Sequence, residues 1–112
     1  MRLIIGISGA SGIIIAIELL KKLKHIDNIE THLIITKSAA LTLQYETNFD
    51  IYDLKKISNV TYDINDIGAA VASGSFITGG MIIVPCSMKT VAGIASGYSD
   101  NLLLRAADVC IK

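Results

Sequence analysis

At 112 residues the chain has room for one small domain, 1–112. Hydrophobic residues make up 52% and mean hydropathy is +0.57, more than a small monomer readily hides, so part of that surface is expected between subunits. Ten basic and ten acidic residues cancel, which argues against a broad nucleic-acid or anionic-membrane surface, and no apolar run nears the roughly 18 residues of a membrane span.

Met1–Gly6 runs straight into a strand pattern with nothing like a cleavage site, so no secretion signal is expected. Leu3–Ile7 is continuously apolar, the mark of a strand covered on both faces. A turn follows, Gly6-Ile7-Ser8-Gly9-Ala10-Ser11-Gly12. Ile13–Lys24 then repeats apolar residues at helical spacing, with Glu18 and Lys22 placed to pair at i,i+4. Asp27-Asn28 breaks that helix, Thr31–Thr36 reads as a second strand, and Ser38–Glu46 as a second helix. His25 and His32 flank this break without a partner cluster, and both are expected to face solvent.

Residues 47–65 are more polar, with a short helix expected at Ile51–Ile57 and a brief strand at Thr61–Tyr62. Asp66–Ala72 reads as a helix of small residues, Ser73–Phe76 as a loop, and Met81–Val84 as the third major strand, stopped by Pro85. Met88–Gly97 reads as a tightly packed helix, and Asn101–Ile111 as an amphipathic one capped by Asp100 or Asn101. Alternating strands and helices predict an α/β fold, a parallel sheet flanked by helices.

In such a sheet, ligands bind beyond the carboxyl ends of the strands. Three loops there are unusual. After the first strand, glycines allow close approach to an anion and the next helix offers free N–H groups. After the second comes Thr36-Lys37-Ser38, and after the third major strand Pro85-Cys86-Ser87-Met88-Lys89-Thr90. Hydroxyls and amides at three strand ends point to one phosphorylated cofactor and suit a dianionic monophosphate such as that of FMN. The spacing is not GxGxxG, no acid ends the second strand, and no Walker lysine is present, which disfavours NAD and ATP.

Single residues remain open on this evidence. Cys86 reads as packing or as a nucleophile, and Cys110 as packing on the apolar side of the last helix. With only two distant cysteines, neither a disulfide framework nor a metal site is expected, and a reducing cytoplasm is the default. Glu46 is either a solvated helix end or a site carboxylate. Arg105 and Lys112, two turns apart, either hold an anion together or offset the helix dipole.

Taken together, Gly6–Gly12, Tyr45-Glu46-Thr47, Ser73–Phe76, Pro85–Thr90 and Asn101–Val109 resemble the UbiX-type flavin prenyltransferases, once described as 3-octaprenyl-4-hydroxybenzoate or phenylacrylic acid decarboxylases. The resemblance runs along the whole chain. It implies a Rossmann-like flavoprotein fold, with FMN bound by Gly9, Ala10, Ser11, Thr36, Ser87, Met88, Lys89 and Thr90. It implies transfer of a dimethylallyl group from dimethylallyl monophosphate to reduced FMN, first at N5 and then by ring closure at C6. The prenylated FMN would serve a UbiD-type decarboxylase, as in ubiquinone biosynthesis. Ser11 and Glu46 would be the catalytic residues, and Arg105 and Lys112 would grip the prenyl phosphate, partly across an interface of a homo-oligomer. No metal is implied.

Members of that family continue past the position of Lys112 with another strand, an Arg-Glu pair, and later Tyr and Arg residues. The fold is therefore expected to be truncated on its C-terminal side, with an open sheet edge and impaired activity. Two other readings stand beside this one: a non-catalytic FMN-binding fragment or assembly subunit, and an FMN-dependent cysteine decarboxylase. The latter typically relies on a histidine after the second strand, where this chain has Thr36-Lys37-Ser38-Ala39-Ala40.

Overall fold

The computed structural model describes residues 1–112. Four strands form the sheet: β1 (Arg2–Ile7), β2 (Glu30–Ile35), β3 (Val60–Tyr62) and β4 (Met81–Ile83). Their spatial order is β3-β2-β1-β4, and every pairing is parallel. The helices are α1 (Ile13–Lys24), α2 (Lys37–Glu46), α3 (Ile51–Lys56), α4 (Met88–Ser96) and α5 (Leu102–Ile111).

Strand alternation divides the core in two. Ile5, Ile7, Leu33 and Ile35 point to one face, where Ile13, Ile17 and Leu20 of α1, Leu43 of α2 and Leu54 of α3 cover them. Ile4 and Ile34 point to the other, beneath Leu102, Leu103 and Ala106 of α5 and Val71. Burial on both faces is why Leu3–Ile7 of β1 reads as a continuous apolar run. Each fully buried Ile or Leu contributes about 1.5–3 kcal/mol of transfer free energy.

The helix ends follow their residue chemistry. Gly12 enters α1 at φ 97°, a left-handed value that glycine adopts without a steric penalty. Thr36, Ser87 and Asn101 each accept a backbone N–H of the following helix, and Asp50 and Asp53 close a capping box on α3. Three basic residues in the last turn of α1 complement its dipole.

Four expectations need correction. Residues Asp66–Ala72 form turns ending in one 3₁₀ turn at Ala70–Ala72, because Asp66 and Gly68 favour turn geometry over an α-helix. His32 is buried: on β2 it shares its face with Ile34, and Tyr62 of β3 and Phe76 of the loop before β4 pack against it. Its Nδ1 lies 2.8 Å from the Tyr62 hydroxyl and its Nε2 2.6 Å from Glu30 Oε1, while the Phe76 ring meets it edge-on at 5.2 Å. Glu18 pairs with Lys21, not Lys22, at 3.6 Å. Cys110 is exposed, since the last turn of α5 reaches beyond the elements that cover its start. His25 is exposed as expected.

β4 is an edge strand, paired only with β1, and its Ile82 is 39% exposed. No helix is long and apolar enough to cross a membrane.

Candidate functional site

Chain order takes β2 and β3 to one side of β1 and β4 to the other, which makes the β1–β4 boundary a topological switch point. A cavity of about 410 Å³ opens there, at the carboxyl ends of the strands. Ser8 and Gly9 line it from the β1 turn, Thr36, Lys37 and Ser38 from the start of α2, and Ser87, Lys89 and Thr90 from the start of α4. Asp100 and Asn101 at the start of α5 complete the ring, with Ile64 and Asn65 opposite. Three helix N-termini thus face one polar space, each offering partial positive charge and unpaired N–H groups.

Local contacts hold these groups in place. Gly9 lies so close to α2 that a Cβ there would sit 2.3 Å from Ser38 Cβ, so no side chain fits without separating the two loops. The Thr36 hydroxyl accepts from Ala39 N at 3.1 Å, leaving its own proton free to donate. Ser87 Oγ accepts from Thr90 N at 3.3 Å and donates to Thr90 Oγ1 at 2.9 Å, which leaves the Thr90 proton free as well. Lys37 and Lys89 supply full positive charges at the rim, and Asp100 one negative charge.

Among the residues expected from sequence, Gly9, Thr36, Ser87, Lys89 and Thr90 line this cavity, and Ala10, Ser11 and Met88 do not. Ala10 and Ser11 continue the same glycine turn, and the Met88 side chain projects outward, 80% exposed. Glu46 ends α2 beside that turn, where its Oε1 accepts the Gly12 N–H at 3.4 Å. Arg105 and Lys112 lie along α5 away from the cavity, both exposed, and Lys112 pairs with Asp108 at 2.9 Å. Burial pushes the Cys86 thiol above its usual pKa, which disfavours the thiolate a nucleophile requires. No group of three His, Cys, Asp or Glu side chains is placed to hold a metal ion.

Ser8 lines the cavity as one of the hydroxyls of the first strand-end turn, whereas Ile64, Asn65, Asp100 and Asn101 were missed as lining residues. Asn101 and Asp100 carried only a capping signal, and Ile64-Asn65 lies in an irregular stretch with no signal of its own. A family profile described as Flavoprotein matches residues 1–112. The chain belongs to the flavoprotein family.

Within that family, the chain is 52% identical over 112 residues to the probable UbiX-like flavin prenyltransferase of Sedimentibacter hydroxybenzoicus, covering 100% of this chain and 59% of that protein. A dodecameric FMN-dependent Ubix-like decarboxylase from Escherichia coli O157:H7 superposes with a TM-score of 0.95 at 45% identity, over 97% of this chain and 59% of that one. AnUbiX (PadA1), solved with FMN and dimethylallyl pyrophosphate, superposes with a TM-score of 0.93 at 44% identity, over 96% and 57%. The resemblance read from the sequence motifs is thereby borne out along the chain. This flavoprotein spans somewhat over half the length of these relatives.

Proposed function

We propose that the cavity binds the phosphate of FMN and that the chain is the corresponding part of a flavin prenyltransferase. The observation that carries the phosphate site is the convergence of three helix N-termini and the Ser8-Gly9 turn on one polar cavity. The likeness to flavin prenyltransferases, at about half identity over the entire chain, carries the reaction.

The chain's own groups fit a dianion. Thr36 and Thr90 each have a hydroxyl proton to donate, Lys37 and Lys89 balance charge, and Gly9 lets the β1 turn close against the start of α2. Asp100 accepts rather than donates, so it suits the hydroxyls of a polyol chain rather than the phosphate. Reduced FMN, when bound, supplies the nucleophilic ring that receives the prenyl group. Ser11 and Glu46, at the open side of the glycine turn, are proposed to act there on protons. The Gly12 N–H fixes Glu46. Arg105 and Lys112 are proposed to hold the phosphate of the dimethylallyl donor as it departs, where fixed positive charge stabilises the leaving anion.

The same reading takes the chain as a cytoplasmic homo-oligomer that supplies prenylated FMN to a UbiD-type decarboxylase. Two unpaired cysteines fit a reducing compartment. Exposed Ile14, Ile15, Leu41, Tyr45, Met88 and Val91 offer the apolar surface that subunit contacts require. A second reading, an FMN-binding part without catalysis of its own, is favoured by the 59% coverage of the relatives. Titration with FMN, followed by an assay of reduced FMN with dimethylallyl monophosphate or pyrophosphate, separates the two. Prenylation supports the enzyme, binding without prenylation supports the second reading, and failure to bind rejects both.

A further inference from the structure

Ser8 has the chemistry of a phosphate ligand and the geometry of something else. It follows β1 at the cavity wall, yet only 1% of its surface is exposed. Its hydroxyl donates to the Pro85 carbonyl at 2.8 Å and accepts the Ser87 N–H at 2.6 Å. Its own N–H donates to the same Pro85 carbonyl at 3.1 Å. A serine hydroxyl has one proton, and here that proton is committed within the protein.

Those three bonds join segments 77 and 79 residues apart. They hold both sides of Cys86 and therefore fix the entry to α4. Ser87 is the residue that caps α4, and its hydroxyl is in turn bonded to Thr90. A hydrogen-bonded chain thus runs from Ser8 through Ser87 to Thr90, whose remaining proton is available to the cavity. We infer that Ser8 is a positioning residue: its hydroxyl couples the β1 turn to the start of α4, so that the donors of both loops meet one phosphate. This rests on the flavin-phosphate reading above for its ligand, although the coupling itself exists without one.

The role needs a short side chain that donates and accepts at once. Alanine does neither, and without it the Ser87 N–H loses its buried partner. Cysteine keeps the shape but bonds weakly in both directions. Threonine retains the hydroxyl.

The test compares the 112-residue chain with Ser8→Ala, Ser8→Cys and Ser8→Thr. FMN affinity is read by quenching of flavin fluorescence, and exchange of the Ser87 and Thr90 amides by hydrogen–deuterium exchange without ligand. Ser8→Ala is expected to weaken FMN at least tenfold and to speed exchange at Ser87 more than in β1 or β2, with Ser8→Thr returning both towards the parent. If Ser8→Ala does not fold, Ser8→Cys carries the same comparison and is expected to change in the same direction. FMN affinity within twofold of the parent, or unchanged Ser87 exchange in either variant, overturns the inference. Should the parent chain itself not bind FMN, the flavin reading fails, and amide exchange alone still decides whether Ser8 couples the loops.

Discussion

The Gly9 position leaves almost no freedom, because its missing side chain is what lets the β1 turn touch the start of α2. Gly9→Ala is expected to lower unfolding stability by about 1–3 kcal/mol through overpacking and to weaken FMN binding, measured by urea denaturation and flavin titration. A variant that binds FMN as tightly as the parent would show that the close approach is not part of the cradle. Cys86 permits a different check. With its pKa raised by burial, the thiol is protonated at neutral pH. Iodoacetamide is therefore expected to alkylate it more slowly than an unstructured cysteine, with the rate climbing as pH rises through the raised value, as read by mass spectrometry. Tyr62 adds a pH effect on folding. Burial raises its pKa above the ordinary phenol value, so the phenolate disfavours the folded state. Its contribution is complete below the unfolded value of about 10 and is lost as pH rises towards the folded one. Alkaline urea titrations should show stability falling there, with a smaller fall in Tyr62→Phe.

Helix α5 shows how an element connects the core to the site. Leu102, Leu103 and Leu104 are buried against the sheet and α4, while Asn101 just before them lines the cavity. Leu103→Ala is expected to cost about 2–5 kcal/mol, seen as a lower denaturation midpoint. Asn101→Ala removes the bond to Leu104 N at 2.9 Å and should cost about 0.5–2 kcal/mol as a lost cap. The regular elements were legible because their signals are local: a continuous, largely β-branched run for β1, helical spacing in α1, and an amphipathic pattern with a capping residue before α5. The hydroxyl-bearing strand ends were legible for the same reason. The burial of Ser8 and of His32 was not. Their burial is decided by partners at Pro85, Ser87, Tyr62 and Phe76, far along the chain, and no local pattern announces such pairs. The Asp66–Ala72 segment misled because small residues are compatible with a helix and with a succession of turns.

At the scale of the whole molecule, only 27 of 112 residues are buried, and the sheet ends on β4 with an unpaired backbone edge. An apolar edge of that kind pairs readily with another strand. The 112-residue chain is expected to self-associate, and Ile82→Lys to reduce the association in light scattering; a monodisperse monomer across the micromolar range would contradict this. The Ser8–Ser87 pairing has a further consequence, in the order in which the molecule is made. The cavity draws on residues from Ser8 to Asn101, and its closing hydrogen bond joins positions 79 apart. Contacts so distant in sequence form late, because the intervening chain must be ordered before they return any stability. During synthesis, β1, α1 and β2 can emerge and pair while the cradle does not yet exist. Ligand capture is then deferred until the start of α5 has left the ribosome, and a bound flavin would mark a chain in which β1 to β4 are already paired.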